Sequence, residues 1–269
     1  MAASTPPPMH IADLQRLITR DPGRPRLTWY GDDGERVELS GAVLHNWVNK
    51  TVNLLVEEFD AGPGTRVLLD LPPHWRTVVW ALATWRTGAT LVLPPAAEGS
   101  TAVGQEETSG SDDADSRTPA ATDADIVVTS RPASWAGTGA QLVAVPLPAL
   151  ARRFDGDLPP GTIDAGSAVM TYGDQIGWVE ETDPDRAAID PEVSHAGLVA
   201  WALAGPPLPT TPAPRTLVGE EHALPLLRRT LRALALDGSV VVTSVGATAA
   251  LTNDPARLER LRTTERITD

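Results

Sequence analysis

Short apolar runs alternate with longer segments of helical periodicity along this chain, and this alternation constrains the fold more than any other sequence feature. The runs with the length and β-branched content of buried strands are 66–71, 89–93, 124–129, 141–147, 215–218 and 239–244. Apolar residues three or four positions apart predict helices over 11–20, 40–60, 74–86, 194–204 and 220–236, and Asn253-Asp254-Pro255 predicts the start of a last helix. Such alternation predicts an α/β fold with a largely parallel sheet flanked by helices.

One exception lies near the N-terminus, where two short strand-like runs, 26–30 and 36–40, flank Gly31-Asp32-Asp33-Gly34. Asp and Gly at these positions are typical of a tight turn, so this segment predicts an antiparallel hairpin.

Charge and composition exclude several classes of function. The chain has 269 residues, 22 basic and 35 acidic side chains, a net charge of −13 and no cysteine. A phosphate-backbone binder needs the opposite balance on at least one face, and thiolate metal sites and disulfides need cysteine. No run of eighteen apolar residues occurs, and the N-terminus lacks a basic and apolar leader pattern. We therefore expect a cytoplasmic protein that binds neither nucleic acid nor membrane.

Acidic residues are concentrated in two segments, and these suggest how the chain is organised. Residues 98–125 hold eight acids and only Arg117 among many Gly, Ser and Thr residues, which predicts a disordered insert. The chain then divides into a first α/β part over 1–96, the insert over 97–122, and a second α/β part of the same domain over 123–269. The second acidic segment, 155–192, contains Trp178 and other apolar residues and predicts an ordered but irregular excursion.

Motifs that define catalytic centres on their own are absent from the sequence. It contains no Gly-x-Ser-x-Gly, His-Glu-x-x-His or Gly-x-Gly-x-x-Gly, and no glycine-rich loop ending in lysine. The only lysine, Lys50, lies on the predicted helix over 40–60. From these features we predict no catalytic residue, no metal site and no cofactor. Tryptophans in helical apolar runs predict core packing, and the three arginines of the helix over 220–236 predict a solvated face, with a partner surface as the alternative.

Several segments together resemble the AMP-binding, adenylate-forming enzymes, which include acyl-CoA synthetases. They are Leu27-Thr28-Trp29-Tyr30, Gly62-Pro63-Gly64-Thr65-Arg66-Val67, Leu71-Pro72-Pro73, Gly88-Ala89-Thr90-Leu91-Val92-Leu93-Pro94, Ser194-His195-Ala196-Gly197-Leu198-Val199, and His222 with the leucine-rich helix and strand that follow it. The resemblance extends over most of the chain and is greatest to a short actinobacterial type. It implies the fold of the N-terminal part of the large domain of these enzymes, and it places His195 and His222 beside the substrate pocket.

Departures from that family indicate a degenerate, truncated relative. The family wraps the ATP phosphates with a Thr/Ser/Gly-rich loop ending in Pro-Lys-Gly, just before the Ser-His segment. The matching place here reads Thr171, Tyr172, Gly173 and Asp174, with further acids following and no lysine, which predicts repulsion of nucleotide. The family's ribose-binding and C-terminal catalytic positions lie beyond the end of the chain.

These departures lead to two functional hypotheses. The first is a catalytically inactive, acyl-CoA synthetase-like binding or regulatory module. The alternative is a subunit of the ligase type that adenylates only with a partner chain, and a purely structural subunit without a pocket is a third class. Because an unpaired sheet edge favours association, we also expect a homodimer or a complex with another protein.

Overall fold

The structure is a computed structural model that describes residues 8–32, 34–94, 123–191, 193–209 and 211–268. The predicted insert over 97–122 lies outside the described residues. The helices are α1 (Ile11–Ile18), α2 (Gly41–Phe59), α3 (Trp75–Thr87), α4 (Ala165–Ala168), α5 (Leu198–Leu203), α6 (Ala223–Ala235), α7 (Val245–Asn253) and α8 (Pro255–Glu265). The strands are β1 (Pro25–Tyr30), β2 (Arg36–Ser40), β3 (Arg66–Asp70), β4 (Thr90–Val92), β5 (Ile126–Thr129), β6 (Gln141–Ala144), β7 (Ile163–Asp164), β8 (Ala187–Ile189), β9 (Val193–Ser194), β10 (Arg215–Val218) and β11 (Ser239–Thr243).

The described strands form two largely parallel sheets flanked by helices, which confirms the predicted α/β class. One sheet has the order β10-β11-β1-β2 and the other the order β7-β6-β5-β3-β4-β8-β9. Only the β1–β2 and β8–β9 pairs are antiparallel. The first of these is the predicted hairpin. In the larger sheet, β3 lies between β4 and β5, so segments from both sides of residues 97–122 pair within one sheet.

A single large apolar cluster joins the two sheets. It includes Leu27 and Val240 of the four-stranded sheet, Val67 and Val128 of the seven-stranded sheet, and side chains of the helices packed on them. The predicted role of tryptophan in the core is confirmed for two fully buried side chains, Trp80 and Trp85 of α3, whereas Trp47 and Trp201 are partly buried against the cluster.

The two long helices that carry the candidate site begin and end at residues suited to those positions. Ser40 caps α2 by accepting the Val43 N–H through its hydroxyl, and the His74 side chain caps α3 in the same way. Gly88 ends α3 at φ 82°, a left-handed conformation that glycine adopts without a steric cost. At the start of α2, a Cβ on Gly41 would lie 2.2 Å from the Ile18 carbonyl oxygen, so α1 and α2 meet at a position that only glycine fits.

Helix α7 was not predicted from the sequence. Its residues, Val-Gly-Ala-Thr-Ala-Ala-Leu-Thr-Asn, have no amphipathic periodicity that would separate them from a loop. What starts the helix is Ser244, whose hydroxyl oxygen accepts the Ala247 N–H at 3.0 Å. The predicted irregular character of 155–192 agrees with the structure, whose described residues there, 155–191, have only β7, α4, a short 3-10 turn and β8 as regular elements.

Candidate functional site

The polar face of α2 is covered by residues 172–177, the segment that contains most of the predicted phosphate-loop position. Asn53 donates from Nδ2 to the carbonyl oxygens of Gly173 (3.0 Å) and Gln175 (2.8 Å), and its Oδ1 accepts the Gly177 N–H at 3.1 Å. One turn earlier, Asn49 donates to the carbonyl oxygen of Asp174 at 2.9 Å. Both asparagines are therefore buried beneath this segment, which we call the α2-bound loop.

Lys50 completes the attachment of the α2-bound loop. Its Nζ lies 2.7 Å from a carboxylate oxygen of Asp174 and donates to the Tyr172 carbonyl oxygen at 2.5 Å. The side chain is 11% exposed, although Asp174 itself remains largely in solvent. The only lysine of the chain thus contacts a segment that contains no lysine of its own.

Lys50 and Tyr172 are 122 positions apart in sequence and come together in the fold. Lys50 lies beside the segment in the fold but far from it in the chain. Spacing in the sequence gives no indication of such a contact. The geometry also differs from that of a phosphate loop. The α2-bound loop presents its carbonyl oxygens to α2, whereas a phosphate cradle presents backbone N–H groups to the ligand.

Tyr172 is fixed on the same helix. Its hydroxyl donates to the Glu58 carboxylate, and burial together with this carboxylate raises the pKa of Tyr172 above its usual value. The remaining residue of the predicted position, Thr171, donates its hydroxyl to the Ala168 carbonyl oxygen at 2.7 Å. The side chains of Thr171, Tyr172 and Asp174 therefore each contact another group of the protein.

An antiparallel pair of short strands lies directly before His195. It consists of β8 and β9, with Ala187 paired to Ser194 and Ile189 to Val193. Asp190, directly after β8, pairs with Arg66 at 2.7 Å. In the resembled family the phosphate loop precedes the Ser-His segment, so this strand pair occupies that place in the chain order. The assignment of residues 171–174 to the phosphate-loop position therefore stays a prediction.

The structure does not bring His195 and His222 together. His195 is buried, and its Nε2 lies 3.1 Å from the Gly88 carbonyl oxygen, just before β4 begins. Burial lowers the pKa of His195, and the hydrogen bond to Gly88 only partly offsets that effect. His222 is exposed at the start of α6, beside the other sheet. One histidine thus lies at the amino end of β4 and the other follows the carboxyl end of β10.

A cavity of about 370 Å³ lies where the carboxyl ends of strands from both sheets meet, and we call it the inter-sheet cavity. Its walls follow the ends of β1, β3, β6 and β11, and its lining is Trp29, Gly31, Asp32, Glu35, Pro72, Pro73, His74, Leu147, Pro148, Ser244 and Val245. Crevices outside the carboxyl ends of parallel strands are the usual ligand sites of α/β proteins.

His74 is the titratable group buried most deeply in this lining. Its Nδ1 accepts the Arg76 N–H at 3.1 Å, which leaves the proton of the neutral ring on Nε2 as a donor. The ring meets the edge of Trp29 with centroids 4.4 Å apart. Burial, with a smaller contribution from the Arg76 charge, lowers the pKa of His74 to about 3. The ring is therefore neutral at physiological pH.

Two carboxylates line the inter-sheet cavity, and both are already hydrogen-bonded. Glu35 accepts from Trp29 Nε1 at 3.0 Å and from the Ala149 N–H at 2.7 Å. Asp32 accepts from the Ser244 hydroxyl and from the Ala247 N–H at the start of α7. These contacts fix the lining side chains in position. One side of the cavity is polar and the other is aromatic.

A buried cation lies behind the cavity. The Arg76 guanidinium stacks on Trp75 at 4.4 Å and on Trp47 at 5.5 Å, and it donates to the Pro148 carbonyl oxygen at 3.3 Å. Burial lowers the pKa of Arg76 to about 10, although Glu35 opposes the shift. Sequence reasoning missed His74, Asp32 and Glu35 as site residues. The signal that was available is that all three follow predicted strand ends.

Within the described part of the chain, no three His, Asp or Glu side chains are grouped as a metal ion would require. Among the same residues, no helix has the length and apolar character needed to cross a bilayer.

Comparison with known proteins identifies the family. No protein-family model matches the chain. Over 268 residues it is 32% identical to a "TIGR03089 family protein" of Mycobacterium tuberculosis, and the match covers 98% of each chain. The chain therefore belongs to the TIGR03089 family.

Solved structures show which fold this is. An acyl-CoA synthetase from Brucella canis matches with a TM-score of 0.66 and 19% identity over 96% of this chain, and acetoacetyl-CoA synthetase from Streptomyces lividans with 0.64 and 15% over 87%. A fatty acyl-adenylate ligase from L. pneumophila matches with 0.61 and 13% over 97%. The chain spans 47%, 38% and 44% of these proteins. The fold is thus that of acyl-CoA synthetase-like, adenylate-forming proteins, over less than half of their length.

Proposed function

We propose that this chain is a binding or regulatory module with an acyl-CoA synthetase-like fold, and that it does not adenylate carboxylic acids on its own. The observation that carries the proposal is the attachment of the α2-bound loop. Adenylation needs donors and cations directed at a departing pyrophosphate. Here the one lysine is paired with Asp174, and the side-chain amino groups of Asn49 and Asn53 donate to carbonyl oxygens of the loop.

The inter-sheet cavity supplies the binding function in this proposal. The neutral His74 ring offers a donor, Asp32 and Glu35 offer acceptors, and Trp29 and the prolines offer apolar surface. A cavity with two carboxylates and a neutral histidine favours an uncharged polar or aromatic group over an anion. On this basis ATP is a poor ligand for the cavity.

The activity test is ATP–pyrophosphate exchange with a panel of carboxylic acids, run on the full chain beside an active acyl-CoA synthetase. We expect no exchange in the wild type. The variant Asp174→Ala frees Lys50 and should leave exchange absent while slightly strengthening anion binding. Asp185→Ala, at an exposed acid outside the α2-bound loop, is the matched control. Exchange by the pure wild type that is lost in Lys50→Gln would overturn the proposal, because Lys50 would then act on the nucleotide.

The same assay distinguishes the proposed binding or regulatory module from the alternative, a ligase-type subunit that adenylates only with a partner chain. Its support is that the structural neighbours are more than twice as long as this chain. Exchange that appears only when a second purified protein is added would establish the alternative and exclude a purely regulatory module.

The binding function is tested by a thermal-shift screen with ATP, AMP, CoA and acyl-CoAs, followed by titration of any hit. Val245→Trp places an indole in the cavity mouth and should abolish the shift. Val43→Trp is the control, because Val43 is similarly exposed, at 42% against 45%, but lies on α2 outside the cavity. A hit that survives Val245→Trp unchanged would show that the inter-sheet cavity is not the binding site.

A further inference from the structure

A second cavity lies where the parallel strands of the seven-stranded sheet begin, on the side opposite to the inter-sheet cavity. It has a volume of about 420 Å³ and lies between α1, the end of α3 and residues 181–198, and we call it the amino-edge cavity. His195, one of its lining residues, bonds to the Gly88 carbonyl oxygen just before β4. Strands β3, β4, β5, β6 and β8 run parallel, so this is the edge at which they begin. The inter-sheet cavity lies where they end.

Arg86 lines this cavity and has no ion-pair partner in the described part of the chain. It is half-buried, and no hydrogen bond or ion pair joins it to any other residue in the described part of the chain. Burial, reinforced by the charge of nearby Arg16, lowers the pKa of Arg86. Arg86 also lowers the pKa of His45, whose burial is the larger cause. A guanidinium next to another cation and a buried histidine lacks a compensating charge.

The nearby acids do not supply that charge. Asp13 accepts from Arg16, from the Met9 N–H and from His10, so its oxygens are engaged on the outer side of α1. Glu181 lines the cavity but is exposed at its rim. The Asp13 carboxylate is thus already paired, and Glu181 lies where water screens its charge.

The other walls are mostly apolar. Ile11 and Leu198 are buried, and Met9, Ala12, Pro184 and Ala196 add apolar surface, while His10 and Thr182 also line the cavity. His195 is neutral, and its Nε2 is engaged by Gly88. The volume is far larger than one inorganic ion requires and falls within the range of small-molecule sites.

We propose that the amino-edge cavity is a second ligand site, which binds an organic anion with its single oxyanion head on Arg86 and its apolar body against Ile11 and Leu198. A guanidinium holds a carboxylate or phosphate oxyanion through paired N–H donors. Glu181 at the rim selects for one negative charge rather than two. The site involves neither the α2-bound loop nor the inter-sheet cavity. The proposal therefore goes beyond the function proposed above and is tested independently of it.

Binding at this place connects three parts of the chain. The ligand would contact the start of α1, the end of α3 and the segment after β9, and so would add to the direct contacts that these parts already make. It would therefore stabilise the folded state by mass action.

The test is isothermal titration of the full chain with hexanoate, hexyl phosphate and 1-hexanol. We expect hexanoate to bind more tightly than hexyl phosphate, which carries close to two negative charges at neutral pH, and the neutral alcohol not to bind measurably. Comparing the two anions shows whether the head group that the cavity binds is a carboxylate or a phosphate. Inorganic phosphate is titrated in parallel, and if it binds as tightly as hexyl phosphate, the cavity holds an adventitious ion only and the proposal fails.

Variants assign the binding to Arg86. Arg86→Gln should weaken anion binding about tenfold or more, because a charge-assisted hydrogen bond is lost. Arg16→Gln, at a neighbouring exposed cation, is the matched control and should change affinity little. Ala196→Trp, at an exposed rim position, should block entry of all ligands.

A second measurement keeps the test independent of folding defects. Because Arg86 has no counterion in the free protein, Arg86→Gln should be as stable as the wild type or more stable in urea, while losing the stabilisation by hexanoate. Unchanged hexanoate binding in Arg86→Gln, or equal binding of 1-hexanol, would overturn the proposal.

Discussion

Protonation of His74 should make the protein less stable as the pH falls from 7.5 to 5.0. The side chain is 4% exposed, packs on Trp29 and accepts the Arg76 N–H through Nδ1. Protonation removes that acceptor and places a charge in the core beside a buried cation. Burial and Arg76 accordingly lower the pKa of His74 to about 3, from an ordinary value of 6.5.

The sign and size of the effect follow from proton linkage. Below pH 6.5 the unfolded chain binds a proton at His74 that the folded chain does not bind until the pH approaches 3. Stability is therefore lost as the pH falls below 6.5. At pH 5.0 the difference is about 1.5 pH units at roughly 1.4 kcal/mol per unit, or about 2 kcal/mol.

The assay is urea unfolding at pH 7.5 and 5.0 for the wild type and for His74→Asn. Asparagine retains a side-chain oxygen that can cap α3 but does not titrate. Working at pH 5.0 or above keeps most carboxylates ionised, and the lowered pKa values of His45 and His195 affect both proteins equally. The wild type should lose about 2 kcal/mol more than the variant. Equal losses in the two proteins would refute the assignment of a buried, neutral His74.

Three further changes test the packing around the site. Gly41→Ala should lower the urea midpoint strongly, because its Cβ would meet a carbonyl oxygen at 2.2 Å, while Gly23→Ala, with open space around it, should be nearly neutral. Glu265→Gln should cost about 3 kcal/mol in urea unfolding, since the buried carboxylate pairs with Arg215, and a loss below 1 kcal/mol would contradict this. Ser244→Ala removes the cap of α7 and should cost about 1 kcal/mol, measured in the same way, whereas no change would show that Asp32 alone caps the helix.

Much of the fold could be predicted from the sequence because its elements are determined locally. The strand over 215–218 agrees with β10 residue for residue, and Asp254 caps α8 with proline at the first position, as the sequence indicates. The hairpin of β1 and β2 follows from its turn residues. Helix α7 has no such local pattern, and short strands such as β7 and β9 form only because neighbouring strands offer them hydrogen bonds.

The candidate site was harder to predict because its contacts are distant in sequence. The resemblance placed His195 and His222 beside the substrate pocket; the two follow strands of different sheets, and their place beside that pocket stays a prediction. His74 was recognised only as the start of a helix. Its burial depends on Trp29, which comes from the other sheet, and periodicity within one segment cannot reveal a neighbour of that kind.

The energy needed to open the α2-bound loop bears directly on the proposed function. Asn49, Lys50 and Asn53 donate four hydrogen bonds to its carbonyl oxygens, and the Gly177 N–H donates a fifth bond back to Asn53. At about 1 kcal/mol net for each, the closed arrangement is favoured by roughly 5 kcal/mol before the Lys50–Asp174 pair is counted. The open state then makes up roughly one molecule in several thousand, and a nucleotide that needed it would bind weaker by the same factor. A phosphate ligand would also have to displace Asp174 from Lys50. The loop thus acts as a structural part of the fold, and ligands are more readily accepted by the preformed cavities at the two ends of the seven-stranded sheet.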